Sequence, residues 1–134
     1  MTPAEMAALH RQVFTTPRPW SELEFATLME APSTIIETAQ HGFAMARQVA
    51  DEAELLTITV DPKCQRTGFG RVLMQGLLDQ LTSTRTVFLE VSETNLNAIA
   101  FYKAIGFQHS GTRKNYYRAP EGRKINALIF SKQL

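Results

Sequence analysis

The residues best suited to chemistry lie in a glycine-containing turn between an apolar run and an amphipathic segment. The apolar run covers residues 55–60 and predicts a buried strand that ends at Asp61-Pro62. The turn and its flanks then have the sequence Gln65-Arg66-Thr67-Gly68-Phe69-Gly70-Arg71. The first turn of a helix has unpaired backbone N–H groups and partial positive charge, so a helix beginning here would bind an anion such as a phosphate. The two glycines keep the backbone accessible to such a group, and Arg66 and Arg71 add positive charge.

The Gly-x-Gly turn by itself permits two interpretations. It lacks the Gly-Lys-Ser/Thr of a nucleoside-triphosphate loop and the third glycine of a dinucleotide fingerprint. An anion site and a tight strand-to-helix connection are therefore equally compatible with it. Cys64, beside the turn, is the only cysteine, which excludes an internal disulfide and suits a reducing compartment. No histidine is near it in the sequence, so a small apolar side chain is a better interpretation than a reactive thiol.

A carboxylate and a phenol in the second half of the chain have the functional groups of a base and an acid. Glu90 follows four residues of buried-strand character in a strand predicted over residues 86–91. Its carboxylate is therefore expected near the carboxyl end of the strand, where ligands of open α/β sheets bind, and an ion-paired edge residue is the alternative. Asn95 starts a helix predicted over residues 95–105, and Tyr102 lies two turns later on the same face. Tyr102 is either a core aromatic with a satisfied hydroxyl or a phenol directed at a reacting group.

These motifs together resemble the Gcn5-related N-acetyltransferase (GNAT) superfamily. Gln65-x-x-Gly68-x-Gly70 after a buried strand is similar to the coenzyme A pyrophosphate loop of that superfamily. A second signature of the superfamily resembles Asn95-x-x-Ala98-x-x-x-Tyr102-x-x-x-Gly106-Phe107. The resemblance covers nearly the whole chain and is closer still to the bacterial ribosomal-protein-alanine N-acetyltransferases. That closer match is carried by Pro19-Trp20-Ser21, Leu89-Glu90-Val91 and Arg113-Lys114-Asn115-Tyr116-Tyr117.

The resemblance implies transfer of an acetyl group from acetyl-CoA to an amine. The implied acceptor is the N-terminal α-amine of a protein or peptide, such as a ribosomal protein. At matching positions it implies Glu90 as the base and Tyr102 as the acid that protonates the departing thiolate. The implied acceptor contacts are Trp20, Glu90, Tyr116 and Tyr117. The implied acetyl-CoA contacts are Ile58, Thr59, Val60, Gln65, Arg66, Thr67, Gly68, Phe69, Gly70, Arg71, Asn95 and Tyr102. A small-molecule amine acetyltransferase and a non-catalytic acetyl-CoA-binding module are the alternatives.

Length and composition are those of one globular domain over residues 1–134, with 44% hydrophobic and 20% charged residues. The order of predicted elements indicates an α/β (α+β) fold. The resemblance extends this to a mixed central sheet of about six to seven strands with a splayed parallel pair, flanked by about four helices. A net charge of +1 argues against nucleic-acid and anionic-membrane partners. Since the sequence shows no long apolar run and no signal-like N-terminal segment, we expect a cytoplasmic monomer or weak dimer.

Capping patterns predict two helices in the N-terminal quarter of the chain. Thr2-Pro3-Ala4-Glu5 is a capping box for a helix to about Val13, and Ser21 with Glu24 forms a second box for a helix that ends before Pro32. Trp20 precedes the second cap and is placed to staple against Phe25, with a substrate groove as the alternative location.

The remaining strands and the helix between them are predicted from the pattern of apolar and polar residues and from turn-forming residues. Strands over residues 33–39 and 43–49 form a predicted hairpin at Gln40-His41-Gly42, and a helix over residues 69–81 leads to a strand parallel to the first apolar run. The last two strands are predicted over residues 107–112 and 125–131, with residues 113–124 as a loop. That loop interleaves basic residues with tyrosines, as nucleic-acid-binding segments do, but a charged hairpin tip fits the nearly neutral chain better. The histidines fall in separate elements, so we expect no metal site.

Overall fold

The computed structural model describes residues 1–134, which form a six-stranded sheet and four α-helices. The helices are α1 (Pro3–Val13), α2 (Glu22–Glu30), α3 (Phe69–Gln80) and α4 (Leu96–Ala104). The strands are β1 (Thr34–Ala39), β2 (Gly42–Val49), β3 (Glu52–Val60), β4 (Thr86–Ser92), β5 (Gln108–Arg118) and β6 (Lys124–Gln133). The sheet order is β1-β2-β3-β4-β6-β5, and β3 with β4 is its one parallel pair. The predicted mixed sheet with a parallel pair is confirmed.

Both N-terminal helices begin at the predicted capping boxes. Thr2 and Glu5 exchange side-chain-to-backbone hydrogen bonds of 3.0 and 3.1 Å, and Ser21 and Glu24 do the same at α2. The indole of Trp20 lies 5.5 Å from the ring of Phe25, so the staple is also confirmed. Helices α1 and α2 cover one face of the sheet, and their buried core consists of Met6, Ala7, Phe25, Phe43 and Met45.

The opposite face of the sheet holds the larger apolar core. Leu73 and Leu77 of α3 are fully buried there against Leu55, Val87 and Leu89 of the parallel strands. These α3 residues recur one turn apart, as the amphipathic pattern predicted. Burial of a leucine of this kind stabilises the fold by roughly 1.5–3 kcal/mol. The parallel pair is therefore anchored mainly through its first half.

The two parallel strands separate after a short paired region. Their register runs from Glu52 opposite Thr86 to Leu55 opposite Leu89 and then ends. On its other side, β3 contains a bulge, because Leu55 and Thr57 pair with consecutive residues of β2 and Leu56 is left over. A bulge bends its strand and increases the local twist, which accounts for the separation. We call the opening beside residues 56–60 of β3 the strand gap.

The prediction of a loop over residues 113–124 is wrong. Strand β5 continues to Arg118 and β6 begins at Lys124, so the connecting turn is only residues 119–123. Strand β5 is an edge strand and most of its side chains are exposed, so its polar composition resembles that of a loop. The β3 strand also begins at Glu52, three residues before the predicted start. No helix in the structure is both long enough and apolar enough to span a bilayer.

Candidate active site

The N-terminus of α3 differs from that of the other three α-helices. Thr2, Ser21 and Asn95 each cap their helix with a side-chain oxygen, whereas α3 begins at Gly68 without a side-chain cap. Gly68 has a φ of 91°, a left-handed conformation that favours glycine, and a Cβ placed there would have no heavy atom within 4 Å. The first N–H groups of α3 therefore have no side-chain partner and have the charge and geometry to bind an anion.

The turn before α3 is fixed by its own side chains. The Gln65 amide donates a hydrogen bond of 3.2 Å to the Val60 carbonyl, and the Thr67 hydroxyl donates to the Cys64 carbonyl. The Arg66 guanidinium donates to the side-chain oxygen of Asn97 at 3.1 Å. Arg66 thus connects the turn to the start of α4, a contact that no sequence motif indicated.

Phe69 and Gly70 belong to the first turn of α3, but both contact other parts of the protein. The Phe69 ring packs edge-on against His41 at 5.2 Å. A Cβ on Gly70 would lie 3.2 Å from the ring of Phe101 in α4. Gly70 therefore permits close packing of α4 on α3, which is a different role from the expected space for a phosphate. Of the two glycines in the motif, Gly68 is the one with open space around it.

Helix α4 places Tyr102 at the centre of the molecule. Asn95 caps this helix, because its side-chain oxygen accepts a hydrogen bond of 3.2 Å from the Ala98 N–H. Tyr102 is 7% exposed and packs edge-on between Phe101 and Phe107. No protein group hydrogen-bonds its hydroxyl, so the oxygen is available to a bound group. Burial raises the pKa of Tyr102 far above its usual value, so the phenol stays protonated at neutral pH.

Glu90 lies one residue past the end of the β3–β4 pairing, at the strand gap. Its carboxylate is 17% exposed, and one of its oxygens forms an ion pair of 2.9 Å with Arg113 Nε. Glu90 is therefore ion-paired, which was one of the two interpretations of the sequence. It also lies near the carboxyl end of β4, where the other interpretation expected a ligand. The Arg113 guanidinium in turn lies 5.2 Å above the ring of Tyr116. The ion pair between Glu90 and Arg113 was not predicted, because the two residues are far apart in the sequence and Arg113 had been assigned to a loop.

Electrostatics connect Glu90 with two tyrosines. The pKa of Tyr117 is raised to about 12, first by burial and then by the negative charge of Glu90. Tyr117 contributes in turn to the raised pKa of Tyr102. The half-buried phenol of Tyr117 thus lies within electrostatic range of both the Glu90 carboxylate and the buried phenol of Tyr102. Only two of these groups, Glu90 and Tyr102, had been assigned acid–base roles from the sequence.

A bulge in β5 presents the two adjacent tyrosines. Arg113 pairs with Ala127 and Tyr117 pairs with Ile125, so three residues of β5 face the single residue Asn126 of β6. The Asn126 side-chain oxygen accepts a hydrogen bond of 2.9 Å from the N–H of Asn115, which has a left-handed φ of 55°. This bulge leaves Tyr116 53% exposed and Tyr117 partly buried. Asparagine is the residue type that tolerates such a φ, which is the one sequence signal for the bulge.

A groove beside α2 brings Trp20 close to the strand gap. Its volume is about 490 Å³, and its lining residues are Trp20, Leu23, Glu24, Thr27, Leu28 and Leu56. Leu56 is the bulged residue of β3, and it follows the last paired position, Leu55 opposite Leu89. Trp20 is therefore both the staple of α2 and a wall of a groove. The structure contains no group of three or more His, Cys, Asp and Glu side chains that could hold a metal ion.

This fold and this site are those of an acyltransferase that transfers to an amine. Residues 6–107 match the model of the Acetyltransferase (GNAT) family. The chain belongs to this family, whose acetyl donor is acetyl-CoA. It is an N-acetyltransferase.

Characterised relatives match most of the chain. It is 39% identical over 131 residues to the [Ribosomal protein bS18]-alanine N-acetyltransferase of Escherichia coli K12, covering 93% of this chain and 88% of the relative. It is 35% identical over 121 residues to the N-alpha-acetyltransferase RimI of Mycobacterium tuberculosis, covering 84% of this chain and 76% of the relative. The crystal structure of the ribosomal-protein-S18-alanine N-acetyltransferase from Escherichia coli superposes with a TM-score of 0.82 and 34% identity, covering 98% of this chain and 86% of that one.

Proposed function

We propose that the protein acetylates the N-terminal α-amine of a protein, and that its acceptor is a ribosomal protein that begins with alanine. The similarity to the bS18-alanine enzyme supports this acceptor class, which would be encountered in the cytoplasm. The observation that carries the proposal is that Glu90 lies at the strand gap and that Tyr117 is within electrostatic range of both Glu90 and the buried Tyr102. An extended peptide N-terminus can enter a gap of this kind between the Trp20 groove and the Tyr116–Tyr117 segment.

The donor would be bound from the α3 side of the gap. The uncapped N–H groups after Gly68 suit the diphosphate of acetyl-CoA, with Arg66 and Arg71 nearby and Gln65, Thr67 and Phe69 shaping the turn. Backbone groups of Ile58, Thr59 and Val60 border the gap on β3, where β4 has already separated. Those of their N–H and C=O groups that do not pair with β2 or accept from Gln65 would hydrogen-bond the pantetheine arm and polarise the acetyl carbonyl. Asn95 would contribute indirectly, since its side chain is used to cap α4.

Glu90 is proposed to prepare the attacking amine. Only a neutral amine has the lone pair needed to attack a thioester, and roughly a tenth of an N-terminal amine is neutral at pH 7, against less than about 0.1% of a lysine side chain. Glu90 accepts the proton from the ammonium, directly or through a water. Arg113 occupies one carboxylate oxygen, so the other is available for this transfer. The site therefore favours an α-amine, which needs less help from a base.

Tyr102 is proposed to complete the transfer. Attack of the amine on the acetyl carbonyl forms the new C–N bond, and breaking the C–S bond releases a thiolate that needs a proton. The Tyr102 phenol is protonated at neutral pH and has no protein hydrogen-bond partner, so its proton can be donated to the sulfur. The phenolate then recovers a proton from solvent or from the one accepted by Glu90. Acid–base groups of this kind contribute about 10²–10⁴-fold each to the rate.

Incubation with acetyl-CoA and a peptide library that varies the first residue tests the proposal. Products are measured by mass spectrometry, and the proposal expects acetylation at the α-amine with a preference for alanine at the first position. Matched peptides with a blocked N-terminus and an internal lysine serve as controls and should remain unmodified. Equal acetylation of blocked peptides, or acetylation of small amines alone, would contradict the proposed acceptor.

A further inference from the structure

The most deeply buried ionisable side chain on the α1–α2 face of the sheet is not among the proposed acid–base groups. His10 of α1 is 1% exposed and lies among three aromatic rings. Its imidazole stacks on Phe14 at 4.3 Å and on Trp20 at 5.0 Å, and the Phe25 ring meets it edge-on at 5.4 Å. An apolar side chain of similar size would pack in such a cage at no cost in desolvation, so the polar atoms of His10 need an explanation.

The hydrogen bonds of His10 fix its tautomer. The backbone N–H of Trp20 donates to Nδ1 at 3.0 Å, so Nδ1 is the unprotonated nitrogen. Nε2 therefore carries the hydrogen and lies 3.3 Å from the Thr57 hydroxyl, to which it donates. The Thr57 hydroxyl is then free to donate to the Thr59 hydroxyl at 3.0 Å. Both threonines are buried, and each hydroxyl is satisfied through this chain.

The two ends of this chain of hydrogen bonds lie at different parts of the site. At one end is Trp20, a wall of the groove beside α2. At the other end are Thr57, directly after the bulged Leu56, and Thr59, between two residues whose backbone borders the strand gap. A single neutral imidazole thus connects the acceptor side of the site to the unpaired half of β3.

We propose that His10 is a positioning residue that fixes the Trp20 groove and the unpaired half of β3 relative to each other. This inference rests on the proposed function, because the acceptor is assigned to the groove and acetyl-CoA to the gap. Residues 56–60 of β3 have no pairing partner in β4. On the side of the sheet that faces α1, the hydrogen bonds of the Thr57 and Thr59 hydroxyls are therefore the main polar restraint on this segment. Loss of the bond to Trp20 should let the groove shift while β3 stays in place. Loss of the bond to Thr57 should let the unpaired half of β3 shift while the groove stays in place.

Two conservative variants each remove the bond between His10 and Thr57. In His10→Asn the side-chain oxygen can take the place of Nδ1 and accept from the Trp20 N–H, while the bond to Thr57 is lost. In Thr57→Val the side chain keeps its shape, and the same bond is removed from the other end. Both variants lack the His10–Thr57 bond and should lower kcat by at least about fivefold, with the peptide KM nearly unchanged; Thr57→Val also loses the bond to Thr59. The His10→Asn/Thr57→Val double variant should be no slower than Thr57→Val alone, because His10→Asn removes only a bond that Thr57→Val already lacks.

His10→Gln is the complementary variant, because its amide nitrogen can replace Nε2 and donate to Thr57 while the acceptor for Trp20 is lost. It should raise the peptide KM by about fivefold and leave kcat nearly unchanged. A cooperative thermal unfolding transition shows that each variant is folded. If a His10 variant does not fold, the inference is tested with Thr57→Val alone. A folded Thr57→Val with parental kcat and KM would overturn the inference. If the parent itself transfers no acetyl group to any peptide, the proposed function fails instead, and the two outcomes are distinct.

Discussion

His10 should make the stability of the fold depend on pH in a range where few other groups titrate. Burial of its imidazole lowers its pKa to about 4 from the ordinary value of 6.5. Protonation would also place a hydrogen on Nδ1, which now accepts from the Trp20 N–H. Between these two pKa values the unfolded chain binds more protons than the native state, so the free energy of unfolding falls as the pH falls.

The size of this effect follows from the two pKa values. For a single group with pKa values of 6.5 unfolded and about 4 folded, the linkage relation gives a loss of about 2 kcal/mol between pH 7 and pH 5. The loss approaches about 3 kcal/mol once the pH is below both values. A domain of this size is stable by about 5–15 kcal/mol, so the change is a substantial part of the total. The stabilisation is fully present above the unfolded pKa and is lost towards acid.

Urea unfolding of the parent and of His10→Asn at pH 7 and pH 5 measures this effect. The variant cannot titrate at this position, while His41 and His109 are common to both proteins and cancel in the comparison. The parent should lose about 2 kcal/mol more than the variant between the two pH values. Equal losses in the two proteins would refute the argument, whatever the absolute stability of the variant.

Three further predictions concern activity and packing. Glu90→Gln and Tyr102→Phe should each bind acetyl-CoA nearly as the parent does in calorimetry but lose about 10²–10⁴-fold in kcat, and parental turnover in both would contradict the acid–base assignment. Gly42→Ala should destabilise the fold by roughly 1–3 kcal/mol in urea unfolding, because the new Cβ would overlap the backbone carbonyl of Thr59. Gly76→Ala is the matched control, since its Cβ meets only the movable end of a glutamate side chain and a helix favours alanine, so its stability should be equal to or above that of the parent.

Features that depend on nearby residues could be predicted from the sequence. The capping boxes at Thr2 and Ser21, the staple of Trp20 on Phe25 and the helix after Gly68 all involve residues within a few positions of one another. Side-chain and backbone geometry over such short spans is nearly fixed by residue type. The parallel β3–β4 pair followed from a strand-helix-strand order, which has one common outcome.

Features that depend on distant residues could not be predicted in this way. The Leu56 bulge is visible only in the register of β3 against β2, and the Arg113–Glu90 ion pair joins residues on separate strands. The length of β5 was missed because an exposed edge strand interrupted by the Asn115 bulge has no alternating apolar pattern. The packing role of Gly70 was not predicted, because the ring next to it belongs to Phe101 of α4.

The central claim is that the uncapped start of α3 binds the diphosphate of acetyl-CoA and thereby directs the thioester into the strand gap. A crystal structure of the protein with coenzyme A tests it most directly. We expect diphosphate oxygens within hydrogen-bonding distance of the N–H groups that follow Gly68, and the sulfur between β3 and β4 near the Tyr102 hydroxyl. A diphosphate bound elsewhere, or a sulfur outside the gap, would contradict the account.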